Sequence, residues 1–128
     1  MPYVEIVLSL ALLQFLFFGI AVGRARALYQ CPAPATTGNE MFERYFRVQM
    51  NTLEQLVVFI PAVVLFAHLV SAYWAAGLGG VYLVGRVLYF LSYIKDPKTR
   101  GLGFGLTMLP NLALIVGTLV AAVRGLLA

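Results

Sequence analysis

Four apolar runs, each of bilayer-crossing length, are separated by short polar links, and little else fits in a 128-residue chain. A spanning helix needs about 20 mostly apolar residues. The first run extends from Val4 to about Arg24. The stretch Gln30–Asn39 holds Pro32, Pro34, Thr36, Thr37 and Gly38 and reads as a loop. A second helix should start near Glu40, with Asn39 as its N-cap and Glu40 and Glu43 in its first turn, and run to about Val70. Pro61 should bend it. Ser71 to Trp74 is expected to turn, with Tyr73 and Trp74 at the headgroup level. The third span covers about Ala75 to Tyr93, Lys95–Arg100 form a charged loop, and the fourth span covers about Leu102 to Val123, with Pro110 as a kink. The expected fold is all-α, an integral membrane up-down four-helix bundle forming a single unit over residues 1–128.

Composition excludes the soluble alternatives. Charged residues make up 11% of the chain and hydrophobic ones 62%, whereas a soluble domain carries roughly a quarter charged residues. Met1–Glu5 lacks a basic segment, and the apolar run that follows is too long for a secretory signal, so it reads as a retained first span. Cys31 is the sole cysteine and His68 the sole histidine, which rules out an intrachain disulfide and points to no metal. The formal charge of +4 would suggest nucleic acid in a soluble protein; here the bases sit at helix ends, so no nucleic acid is expected. Arg24, Arg26, Arg44, Arg47, Lys95, Lys98 and Arg100 fall on the side of the first and third loops, and Arg124 on the other. The positive-inside rule places those loops in the cytoplasm and both termini outside.

Two polar stripes interrupt the apolar helices. Arg44, Arg47, Asn51 and Glu54 are spaced three, four and three residues apart, which sets them within roughly an 80° arc of one helix face. Tyr82, Arg86, Tyr89 and Tyr93 are spaced four, three and four apart and share a face of the third span. Arg86 lies inside an apolar run and needs an acceptor; Glu54 is the carboxylate at comparable depth. Both stripes run toward the end that carries Arg26 and Arg100. Individually these residues have plain structural readings: snorkelling arginines, an aromatic belt, an Arg86–Glu54 ion pair, and Asn51 with Gln49 as interhelical glue. Their convergence on one side, with so few acids, suits a small ligand of net negative charge that also bears a cationic group.

The chain resembles the MAPEG family, the membrane-associated proteins in eicosanoid and glutathione metabolism. The resemblance is carried by Thr36-Thr37-Gly38, by Phe42-Glu43-Arg44 leading into Arg47-Val48-Gln49-Met50-Asn51-Thr52-Leu53-Glu54, and by Gly85-Arg86-Val87-Leu88-Tyr89 followed by Tyr93. It is similar to the microsomal glutathione transferase and leukotriene C synthase types, above all to the third microsomal type, and its compact size suits a bacterial member in the inner membrane. The resemblance implies a homotrimer with glutathione, the co-substrate, bound between neighbouring protomers. It places Arg47, Asn51, Glu54, Arg86, Tyr89 and Tyr93 on glutathione-holding positions, Arg26 and Gln49 on positions that reach the ligand from the adjacent protomer, and Arg100 on the catalytic arginine. The second substrate would be a hydrophobic electrophile or lipid hydroperoxide arriving through membrane lipid. Gln55 stands where leukotriene C synthase has a tyrosine, and Ala27 where it has a second arginine, which favours a broad detoxifying transferase or peroxidase. The competing readings are a non-catalytic lipid-binding member of the family and a small multidrug exporter using Glu54. Arg44, Arg47 and Arg86 would repel that exporter's cationic substrates.

Overall fold

The computed structural model describes residues 1–128 as four long helices: α1 (Pro2–Leu28), α2 (Glu40–Leu69), α3 (Ala72–Lys95) and α4 (Gly101–Leu127), with a 3-10 turn over Pro97–Thr99. All four are long and apolar enough to cross a membrane. Helices suit that solvent because each backbone N–H and C=O is satisfied within its own segment.

The helix starts follow local chemistry. Pro2 opens α1, where its missing N–H costs nothing. Asn39 caps α2: its Oδ1 accepts from the N–H of Met41 at 2.9 Å and of Phe42 at 3.1 Å. Ser71 caps α3 by accepting from the N–H of Trp74 at 3.2 Å. That cap makes the α2–α3 connection tighter than the sequence reading: Tyr73 and Trp74 already lie in α3 rather than in a turn. α1 and α4 also outrun their expected ends at Arg24 and Val123, since no residue there stops a helix. Pro61 and Pro110 sit inside uninterrupted helices.

The core lies along the bundle axis. Val4, Val7 and Ala11 of α1 meet Leu56, Phe59 and Val63 of α2, Tyr82 of α3 and Leu114 of α4. The rings of Phe59 and Tyr82 stack at 3.9 Å. Toward the other end Phe18, Val48 and Tyr89 form a second layer. α3 and α4 touch through glycines: a Cβ on Gly85 would lie 2.7 Å from the Leu106 carbonyl carbon, and one on Gly103 would strike the Tyr89 backbone. Only 28 of the 128 residues are buried, so Leu13, Leu16, Ile20, Leu109 and Val116 among many others face outward. Such an apolar exterior would drive aggregation in water and is at home among lipid tails.

The loop after α1 is pinned from below. Arg26 donates from Nη1 to the carbonyls of Ala35 at 2.7 Å and Cys31 at 3.2 Å, and its guanidinium sits 4.8 Å over the Phe42 ring.

Candidate functional site

A polar cleft of about 610 Å³ opens at the basic end of the bundle. α2 contributes Arg47 and Asn51, α3 contributes Tyr89 and Tyr93, the 3-10 turn contributes Lys98, and the start of α4 contributes Arg100. The two stripes therefore meet as their helical spacing requires, because α2 and α3 pack with those faces toward each other. Tyr89 and Tyr93 stack at 5.4 Å, one turn apart on α3. The close α3–α4 approach through Gly103 brings the first turn of α4 against Tyr89.

Arg86 lies beneath this cleft, completely buried, and does not line it. Its expected partner was Glu54, but its acceptors are neutral. Nη1 donates to Asn51 Oδ1 at 2.8 Å and Thr52 Oγ1 at 3.3 Å, and Nε donates to Thr107 Oγ1 at 3.1 Å. The guanidinium also stacks 4.3 Å from the Tyr89 ring centroid, a contact that desolvation strengthens. Glu54 instead pairs with Arg47 on its own helix at 3.5 Å, both side chains about half exposed at the rim. The physical reason is placement: positions 47 and 54 are seven residues, nearly two turns, apart on one face.

Arg100 is exposed at the N-cap of α4 and donates from Nη1 to the Pro97 carbonyl at 3.0 Å. The unpaired N–H groups of a helix start carry partial positive charge, so an anion near Arg100 meets both a guanidinium and the dipole end. Arg44 is a latch rather than a lining group: it donates to the carbonyls of Ile94 at 2.8 Å and Lys95 at 3.1 Å and pairs with Glu40 at 2.7 Å. Three cations and no carboxylate line the cleft, so it selects for anions. No group of three or more His, Cys, Asp or Glu side chains is placed to hold a metal ion.

The MAPEG family model matches residues 4–120, which include every polar residue of the cleft. The chain belongs to the MAPEG family. A Synechocystis protein of uncharacterized function is 47% identical over 116 residues, covering 91% of this chain and 85% of that protein. Human microsomal glutathione S-transferase 2 is 40% identical over 92 residues, 72% of this chain and 63% of the human protein. Guinea-pig leukotriene C4 synthase is 33% identical over 84 residues, 66% of this chain and 56% of that enzyme. The matched part thus spans less than two thirds of the length of these two enzymes. The motifs point to the third microsomal type, whereas the human transferase matched here is of the second. With four spanning helices and this family, the chain is an integral membrane protein.

Not every expected site residue of this MAPEG chain reaches the cleft. Arg47, Asn51, Tyr89, Tyr93 and Arg100 line it; Glu54 stands beside it through Arg47; Arg86 is behind it. Arg26 is committed to the loop carbonyls, and Gln49 lies against α1, its Nε2 2.9 Å from where a Cβ on Gly19 would be. Lys98, Gly101 and Phe104 are the lining residues the sequence reading left out, and Thr52 and Thr107 are the acceptors it missed. The available signal was that threonines inside spans are hydroxyls within reach of a buried guanidinium.

Proposed function

We propose that this protein is a membrane glutathione transferase that activates the glutathione thiolate for attack on hydrophobic electrophiles, and that the same thiolate reduces lipid hydroperoxides. The observation that carries the reading is the meeting of Arg47, Asn51, Tyr89, Tyr93 and Arg100 around one cation-rich cleft, in a chain 40% identical over 92 residues to a microsomal glutathione transferase. Glutathione bears two carboxylates, one ammonium and a thiol. The arginines and Lys98 suit the carboxylates, Glu54 suits the ammonium, and Arg100 at the start of α4 suits the sulfur. A free thiol titrates near 8.5, and a guanidinium with a helix start lowers that value by favouring the anion.

In this reading Arg100 is the catalytic residue and no covalent enzyme intermediate forms. The thiolate attacks carbon as the leaving group departs with the bonding pair, or attacks the peroxide oxygen as the O–O bond breaks to give an alcohol and glutathione sulfenic acid. A second glutathione converts that sulfenic acid to the disulfide and water. The 128 residues act as one four-span unit, three of which assemble around shared sites. Arg26 and Gln49 do not line their own cleft, and the family resemblance assigns both to a neighbour's. The cation-rich loops face the cytoplasm of a bacterial inner membrane; the cyanobacterial relative supports that setting.

The test is calorimetric titration of detergent-purified protein with glutathione, followed by thiolate absorbance and an electrophile and hydroperoxide screen. Arg100→Ala should retain affinity within a few-fold yet lose thiolate absorbance at pH 7, because the bound thiol returns toward about 8.5. An unchanged thiolate signal removes Arg100 from the catalytic role. Binding without any turnover would leave a ligand-binding member of the family instead.

A further inference from the structure

A fully buried arginine inside a spanning bundle ordinarily draws a carboxylate, and Arg86 has none: the ion pairs of this protein are Arg44–Glu40 and Arg47–Glu54. Its groups are held by Asn51, Thr52 and Thr107, and its second terminal nitrogen, Nη2, has no protein acceptor. Both threonine hydroxyls also donate to their own helices, Thr52 to the Val48 carbonyl and Thr107 to the Gly103 carbonyl. Their positions are thus fixed, and so is the guanidinium between them.

The consequence lies at Asn51. A guanidinium has donors only, so the Asn51 atom 2.8 Å from Nη1 must be the carbonyl oxygen. Asn51 also lines the cleft. With that oxygen turned to the floor and one of its lone pairs engaged there, the amide no longer presents either polarity freely: the group left unpartnered for the ligand is its NH₂. The adjacent cation polarises that group further.

We propose that Arg86 is a positioning residue: it orients Asn51 so that the amide donates to an anionic group of the ligand, a carboxylate or thiolate, and rejects its ammonium. The ligand's identity rests on the glutathione reading above; the orientation of the amide does not.

Asn51→Asp is the deciding variant, because it supplies Arg86 with a carboxylate and turns the cleft-facing donor into a second acceptor. Its unfolding midpoint in detergent should stay near that of the unmodified protein, because the new carboxylate keeps the bond to Nη1 while its other oxygen is hydrated in the open cleft, unlike a carboxylate sunk fully to the depth of Arg86. Asn51→Ala, which strips the buried cation of its shortest acceptor, should fall well below both. That comparison needs no ligand. Glutathione affinity measured by calorimetry should drop about 10- to 100-fold in Asn51→Asp. Repeating it with S-methylglutathione locates the anion: a penalty that persists belongs to a carboxylate, one that vanishes to the thiolate, and either supports the proposal. Arg86→Gln should weaken binding by the folded protein, with partial recovery in Arg86→Lys; a purely structural arginine would lower the midpoint and leave affinity untouched. The proposal is overturned if Asn51→Asp binds glutathione as tightly as the unmodified protein, or unfolds as readily as Asn51→Ala. If the unmodified protein fails to bind glutathione, the functional reading falls and with it the amide's role toward that ligand, while the midpoint comparison still decides whether Arg86 holds the Asn51 oxygen.

Discussion

Gly85→Ala should damage both the stability and the site of this bundle, and the size of the effect follows from the geometry. The new methyl carbon would lie 2.7 Å from the Leu106 carbonyl carbon and 2.9 Å from the Thr107 nitrogen, both backbone atoms. That is roughly 0.7 Å inside an ordinary van der Waals contact, so α3 and α4 must part locally. The same movement pulls Arg86 Nε, next along α3, from Thr107 Oγ1, now 3.1 Å away. An equal displacement takes it to about 3.8 Å, beyond a hydrogen bond. Overpacking costs about 1–3 kcal/mol, and a weakened bond to a charged donor adds about 1 kcal/mol or more. Alanine returns about 1 kcal/mol through helix propensity. Gly105→Ala is the control, since a Cβ there meets nothing within 4 Å while the propensity gain is the same. Subtracting the two cancels propensity and leaves a difference of about 2–4 kcal/mol. Denaturant titration of both variants in one detergent, followed by circular dichroism, measures it, and calorimetry follows the ligand. Coincident midpoints for the two variants would refute the close-packing argument.

Three further outcomes are expected. Lys98→Gln should weaken glutathione binding by up to about fivefold, as suits an exposed charge, and flatten the salt dependence of affinity; calorimetry at two ionic strengths reads both. Arg44→Ala should unlatch the end of α3 by removing its bonds to the Ile94 and Lys95 carbonyls, at a cost of about 1–3 kcal/mol. Faster amide hydrogen exchange over residues 94–99 would record it. Glu54→Gln should lower affinity for glutathione by up to about tenfold and leave that for N-acetylglutathione unchanged, because only the former has an ammonium for the carboxylate to hold. Parallel titrations with the two ligands separate the cases.

Periodicity and capping made most of the architecture readable. Asn39 announces the start of α2, and Gly and Pro mark the loop before it. The spacings of Arg47 with Asn51 and of Tyr89 with Tyr93 identify the faces that meet at the cleft. What escaped the sequence depends on tertiary placement. Lys98 belongs to a charged run that reads as a solvated loop, and it becomes a lining group because the turn over Pro97–Thr99 folds onto the open end of α2 and α3. The acceptors of Arg86 escaped for a different reason. Threonine in a helix commonly bonds its own backbone, as Thr52 and Thr107 both do, so neither advertises a second partner.

The mistaken pairing of Arg86 with Glu54 has a physical lesson about the site. A carboxylate carried to the depth of Arg86 would lose hydration along with the cation, and the attraction regained often fails to cover that loss. Hydroxyl and amide oxygens are cheaper to bury, and here three of them reach the guanidinium from α2 and α4. Glu54 stays at the rim, half exposed, in a pair with Arg47 long enough at 3.5 Å to open readily. The charge at the floor is thereby left without an internal counter-ion, and the acid at the rim remains available. A cleft arranged in this way holds its positive potential for an incoming anion instead of spending it within the protein.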